Sequence, residues 1–271
     1  PIRAIHFLVL AFLMTLSSPV AAQDVHKGWT AAQAGDYATA LEEWKPLAEA
    51  GDVYAQNSLG VLYQNGYGVP QDYKEAVKWY RLAADQGYAS AQSKLGAMYD
   101  NGRGVPQDHA EAVKWYRLAA EQGYAKAQNN LGFMYKDGYG VPQDYKEAAK
   151  WYRLAADQGD AIGRNALGDM YNNGKGVLQD YKEAVQLFEL AALQGLASAQ
   201  TNLGRNYYIG HGVLQDNVLA HMWSNIAAAN GSENGGSNRD KISKGMTPAA
   251  IEKAQAMARG CMSSGYTMCG Y

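Results

Sequence analysis

Apolar and polar positions alternate along this chain with the period of an α-helix, and the helices they predict come in pairs that recur every 36 residues. Within residues 87–122, Ala91, Leu95 and Met98 fall at i, i+4 and i+7, one stripe of an amphipathic helix. A second helix starts after Asp108, with Ala112, Trp115 and Ala119 as its buried stripe and Tyr116 beside it. Shifted by multiples of 36, this block matches residues 52–86, 124–158, 160–194 and 196–230 without an insertion. Gly60, Gly96, Gly132, Gly168 and Gly204 stay in register, and so do Tyr63, Tyr99, Tyr135, Tyr171 and Tyr207. A fixed period of this size means stacked supersecondary units, each burying its apolar face against its neighbours.

The turns are equally periodic. Gly102 suits a left-handed C-terminal cap, and Gly104-Val105-Pro106 cannot continue a helix because the residue before proline is pushed to extended geometry. Asp108 and Glu111 are spaced as a capping box, repeated by Asp72/Glu75, Asp144/Glu147 and Asp180/Glu183. Gly96 lies inside its helix, where glycine costs about 1 kcal/mol relative to alanine. That predicts close approach by the second helix.

The pattern AQxxLGxxYxxGxGVPQDxxEAxxWYRxAAxQG resembles the Sel1-like repeat, a relative of the tetratricopeptide repeat, over residues 52–231. The resemblance implies an all-α fold, a right-handed α/α superhelical solenoid of helix-turn-helix repeats. It also implies a protein-interaction scaffold that is not an enzyme.

The two ends differ from the array. Arg3, the apolar run 7–16 and Val20-Ala21-Ala22 match the three parts of a secretory signal, giving residues 1–22 as a cleaved leader and a periplasmic or secreted product. The apolar run is too short to span a bilayer, so membrane contact is expected only through the transient signal. Residues 23–51 read as one divergent capping repeat, with Pro46 expected to kink its second helix. After Gly231 the period fails. Residues 232–237 read as a polar loop and 238–244 as a short helix. Thr247-Pro248 then opens a helix ending at Gly260. Residues 232–271 are expected to cap the last repeat. Cys261 and Cys269, the only cysteines, read as a disulfide in an exported protein, with free thiols as the second reading.

Composition excludes more than it selects. A net charge of −2 argues against a nucleic-acid binder, which needs a basic stripe for the phosphates. The histidines His26, His109, His211 and His221 form no metal or catalytic motif, although His211 and His221 of the fifth repeat could approach each other. His109 replaces a tyrosine and is expected at the surface. The GxG pairs follow helices rather than strands and lack the Lys-Ser or Lys-Thr of a phosphate loop. No cofactor is expected.

Positions that every repeat shares are consumed by packing, so those that differ are the candidates for recognition. Four rows share one face of the first helices: Tyr54/Ser90/Lys126/Ile162/Ser198, Ser58/Lys94/Asn130/Ala166/Asn202, Val61/Ala97/Phe133/Asp169/Arg205 and Gln64/Asp100/Lys136/Asn172/Tyr208. Asn57, Ser93, Asn129, Asn165 and Thr201 flank them. The resemblance to tetratricopeptide repeats places this face in a concave groove. Its amides can pair with peptide N–H and C=O groups, and Phe133 offers an apolar anchor. The expected partner is a protein or peptide of the cell envelope. The alternative is a binder or modifier of peptidoglycan or polysaccharide, which the burial expected for Trp79, Trp115 and Trp151 argues against.

Overall fold

The computed structural model describes residues 19–269, with side chains from Val25 onward. The described residues are all helix and connection, with no strand. They divide into two compact units, one up to Ala83 and one from Ala84 onward.

The first unit holds α1 (Pro19–Gln33), α2 (Tyr37–Glu49), α3 (Val53–Asn65) and most of α4 (Tyr73–Asp85). The expected signal residues 1–18 lie outside the described residues, and α1 runs through the expected cleavage site at Ala22. The divergent first pair is α1 and α2. Helix α2 continues three residues past Pro46, and Asp36 caps its start by accepting from the Thr39 N–H. Trp44 is buried, with its indole N–H on the Val25 carbonyl at 3.2 Å.

The second unit holds α5 (Ala89–Asn101), α6 (His109–Glu121), α7 (Ala125–Asp137), α8 (Tyr145–Asp157), α9 (Ala161–Asn173), α10 (Tyr181–Ala192), α11 (Ala197–Ile209) and α12 (Asn217–Ala229), followed by α13 (Glu233–Ser243) and α14 (Pro248–Ser263). From α5 to α13 each helix packs on the next, and α14 packs on α12, so the core runs along the stack. The predicted stripe is fully enclosed: Ala91, Leu95 and Met98 are buried, as are Ala112, Ala119 and Ala120. In three pairs of this unit the in-helix glycine faces an aromatic ring of the second helix, as Gly132 against Tyr152 and Gly168 against Phe188, while Gly204 of α11 faces Ser224. Tyr116, Tyr152 and Phe188 are therefore enclosed between the two helices of their pairs. Trp115, expected on the buried stripe, is only partly covered and reaches the Glu111 carboxylate through its Nε1 at 2.9 Å.

Glycines 102, 138, 174 and 210 take the left-handed conformation at the helix ends, as the sequence predicts. The capping box forms only by half. Asp108 accepts from the Glu111 N–H at 2.9 Å, but its own N–H donates to the Tyr99 carbonyl at 3.0 Å, closing the loop. The Glu111 side chain therefore turns outward to Lys114 and Trp115. Gln107, in the turn, completes the closure through its amide on the Asp100 carbonyl at 2.7 Å.

A buried amide links successive pairs. Gln92, Gln128 and Gln200 donate to the carbonyls of Ala84, Ala120 and Ala192, each at 3.0–3.1 Å. Their side-chain carbonyls accept from Gln122, Gln158 and Asn230 at 2.8 Å, at the end of the same pair. Burying a polar group is tolerable only when it is paired, and here both ends are paired. The fourth repeat has Arg164 at this position, and Gln194 binds the Gly159 carbonyl instead.

The tail departs from expectation. Residues 232–237 are not a loop: α13 starts at Glu233, capped by Ser232, whose hydroxyl accepts from the Gly235 N–H at 3.0 Å. Gly235 lets α13 press against α12, since a Cβ there would lie 2.6 Å from that of Ala227. Thr247 and Pro248 open α14 as predicted, but the helix passes Gly260 and ends at Ser263. Ala254, Ala258 and Cys261 bury against Trp223 and Ile226 of α12, covering the last repeat. Cys261 and Cys269 are bonded, with sulfurs 1.95 Å apart.

Candidate functional site

The candidate face is carried by the first helix of each pair. On α7, Lys126, Asn130 and Phe133 stand at i, i+4 and i+7, so one stripe presents a cation, an amide and an aromatic ring. Phe133 is 41 % exposed although its helix is otherwise anchored by buried Leu131 and Met134. Its ring packs against Tyr139 with centroids 5.8 Å apart, and the Lys136 ammonium lies 5.3 Å above it. Tyr139 in turn packs on His109, whose Nδ1 is 2.8 Å from Asp100 Oδ1. His109 is thus half-buried in a side-chain chain running from α5 to α7, not a plain surface residue.

Sequence reasoning missed Tyr139 as the neighbour of Phe133, and His109 as the neighbour of Tyr139. The signal was present. The residue between the loop glycines meets the first residue of the second helix 30 positions earlier, as in Tyr37–Tyr67, His109–Tyr139 and Tyr181–His211. Lys175 lies over Tyr145 in the same way.

On α5, Lys94 is half-buried and donates to Ser90 Oγ at 3.0 Å. Burial, and then the charge of Lys126, hold its ammonium below the ordinary lysine pKa. Further along, Ile162, Asp169, Ser198 and Arg205 are exposed, while Asn165 and Asn202 are half-buried and hydrogen-bonded to each other at 3.0 Å. In the first unit Tyr54 is exposed and Asn57 half-buried.

Three expected site residues are not on the surface. Ser58, Ser93 and Asn129 are at most 6 % exposed, and Ser93 and Asn129 belong to the flanking row, which turns toward the neighbouring pair. Asn129 donates at 2.6 Å to Asp160, the residue that caps α9. Thr201 likewise meets Ser232, the cap of α13, at 2.9 Å. This row tethers the start of the next first helix rather than meeting a partner.

His211 and His221 do not form a site. His211 stacks on Tyr181, while His221 is buried in α12. No group of three or more His, Cys, Asp or Glu side chains suited to a metal occurs among the described residues. Trp79 and Trp151 are buried, so they offer no platform for sugar rings.

Comparison with known families agrees with this architecture. The Sel1 repeat matches at residues 53–88, 89–124, 125–160, 161–196 and 197–232. The chain belongs to the Sel1 repeat family. Repeats of this class typically mediate protein–protein interaction and are generally non-catalytic. Among solved structures, a Sel1 repeat protein from Oxalobacter formigenes is 34 % identical, with a TM-score of 0.77, over 85 % of this chain and 96 % of that one. A putative Sel1 repeat protein from Klebsiella pneumoniae is 22 % identical over 74 % of this chain and 98 % of its own, with a TM-score of 0.50. An immunity protein from Pseudomonas aeruginosa shares the fold at 21 % identity and a TM-score of 0.52, over 80 % of this chain and 84 % of its own. No curated protein matches.

Proposed function

We propose that the chain is an exported, non-catalytic scaffold that binds a peptide or protein segment of the cell envelope on the first-helix face of α5, α7, α9 and α11. The observation that carries this reading is the division of labour among side chains. On the first helices the shared residues, such as Leu95, Gly96, Leu131 and Gly132, are buried in packing, while the exposed positions of this face change identity from pair to pair and include the large apolar Phe133. A scaffold needs a constant frame and a variable face, and a central aromatic is the kind of group on which binding energy concentrates. Export rests on the leader-like residues 1–22 and places the partner in the periplasm or outside the cell.

Selection from a random peptide library on the purified protein, with the Phe133→Ala variant as the counter-selection, tests the binding reading. Enrichment of peptides on the wild type alone is the expected result. Equal recovery from both proteins would overturn it. N-terminal sequencing of protein recovered from the periplasm should begin at Gln23, and a chain retaining residues 1–22 in the cytoplasm would remove the export half.

A further inference from the structure

We infer that the outer face of the second helices α6, α8 and α10 is a self-association surface, on which a second copy of this chain docks with its helices antiparallel. The surface belongs to the second helices, not to the first-helix face, and does not depend on peptide binding there.

Three observations carry it. The first is a row of leucines on the surface. Leu118, Leu154 and Leu190 occupy one position on three successive second helices and are 45, 40 and 47 % exposed. Single exposed leucines are ordinary, whereas leucine kept in register along successive helices makes an apolar stripe. Leu118, Val113 and Val141 line an open groove of about 430 Å³ there, together with Lys114, Arg117 and Glu121.

The second observation is the fate of this position at the end of the array. On α12 it holds Ile226, and Met222 stands where α6 and α8 carry Lys114 and Lys150. Met222 and Ile226 are fully buried, in a cluster with Ala254, Ala258 and Cys261 of α14. This face of a second helix thus accepts another helix when the chain provides one. On α6 and α8 it carries charges beside the leucine and stays open.

The third observation decides the occupant. The exposed stripe reads Lys114, Leu118, Glu121 along α6 and Lys150, Leu154, Asp157 along α8, at i, i+4 and i+7. Each leucine therefore has a cation about 6 Å before it and an acid about 4.5 Å after it, at 1.5 Å per residue. A second copy turned over about an axis along the leucine row sets leucine on leucine and brings each lysine level with an acid. With the helices parallel, lysine would face lysine. The surface is complementary to itself, as a two-fold interface requires. Glu121 and Asp157 have no ion pair of their own among the described residues. The lysines meet Glu111 and Glu147 one turn away at the surface, contacts worth little and readily exchanged.

Sedimentation equilibrium of the purified protein over a wide concentration range tests the pairing. The wild type should pass from one-copy to two-copy mass as concentration rises, and Leu118→Glu/Leu154→Glu should weaken that association about tenfold or more. The melt of this variant in dilute solution should match the wild type, because both side chains are exposed. Two further variants test the antiparallel register. Lys114→Glu/Lys150→Glu and Glu121→Lys/Asp157→Lys should each stay one-copy alone, where like charges face each other, and an equimolar mixture should recover the two-copy mass. A wild type that stays one-copy at every concentration would overturn the proposal and leave the leucine row to a different partner. A two-copy species indifferent to the leucine substitutions would overturn it too, since it must pair elsewhere. Charge variants that fail to pair on mixing, beside a wild type that does, would overturn the antiparallel arrangement.

Discussion

Gly96 faces the ring of Tyr116 so closely that a Cβ on the glycine would lie 2.8 Å from Tyr116 Cδ1 and 3.2 Å from the Ala112 carbonyl. The two helices of the pair meet through this contact, which exists only because one of them has no side chain there.

Alanine should therefore act in opposite directions at two helical glycines. Gly96→Ala gains helix propensity but overpacks against Tyr116, and a net loss of about 1–2 kcal/mol is expected. Gly260, inside α14, has nothing within 4 Å of its virtual Cβ. Gly260→Ala should stabilise by about 0.5–1 kcal/mol. Urea melts of both variants decide the matter, and two changes of the same sign would show the pair contact to be misjudged.

The fifth repeat carries a pH-dependent weakness. His221 is 2 % exposed, and its Nδ1 is buried without a hydrogen-bond partner. Burial lowers its pKa, the Arg239 charge lowers it further, and Asp240 partly offsets both. A base whose folded pKa is depressed contributes full stability above its unfolded value, ~6.5, and loses it as the pH falls through the folded value. Valine occupies the equivalent position in the second and fourth repeats, as Val113 and Val185. His221→Val should stabilise the protein by about 1–3 kcal/mol, the cost of an unpaired buried polar group, and flatten its pH dependence below ~6.5. Denaturant midpoints measured on either side of that pH give both quantities.

The Cys261–Cys269 bond closes a loop with a sequence separation of 8 and fastens the tail to the core that caps α12. Loop-closure entropy for that length sets its contribution at about 2–3 kcal/mol. Reduction, or the Cys261→Ser/Cys269→Ser variant, should lower the melting temperature, and intact mass under non-reducing conditions should be lighter by two hydrogens than under reducing ones. A melt indifferent to reductant would contradict the assigned contribution.

Binding and folding should separate at Phe133. Phe133→Ala is expected to weaken a selected peptide by about 2 kcal/mol or more, roughly 30-fold, with little effect on the melt. The equivalent position holds Val61, Ala97, Asp169 and Arg205, so the frame does not depend on it. Tyr116→Ala is the contrast. It empties a core site and should cost about 3–5 kcal/mol of stability. Titration and thermal melts of both variants check this, and a Phe133→Ala protein as unstable as Tyr116→Ala would move Phe133 into the core.

Much of this architecture was legible because the same demands recur in every repeat. The Leu95 stripe, the left-handed glycines and the Asp108 cap each follow from helix periodicity and turn chemistry. The misreadings share a physical origin too. Periodicity alone does not rank adjacent aromatics, and only the gap at Gly96 tells that Tyr116, rather than Trp115, fills the core. Glu111 has the right spacing for a reciprocal cap, but the Asp108 N–H is already spent on Tyr99, a contact across the loop that local spacing does not reveal. Residues 232–237 look like a loop by composition, yet Gly235 is helical because only glycine allows α13 to lie on Ala227. At the site, variability alone did not distinguish exposed Phe133 from buried Asn129, since tethering the next helix leaves as much freedom in identity as facing solvent.

The paired glutamines also bear on how such a chain can change in length. The side chain of Gln128 is satisfied by Ala120 of the preceding helix and by Gln158 at the end of its own pair. A duplicated block of 36 residues brings its own amide, its own donor and its own acceptor to the junction. A deleted block removes all three together. Insertion of another length inside a block breaks the spacing that pairs its buried amide or its glycine with their partners. Recombination can thus lengthen or shorten the array in whole steps, altering how many variable positions are displayed without redesigning a single contact inside it.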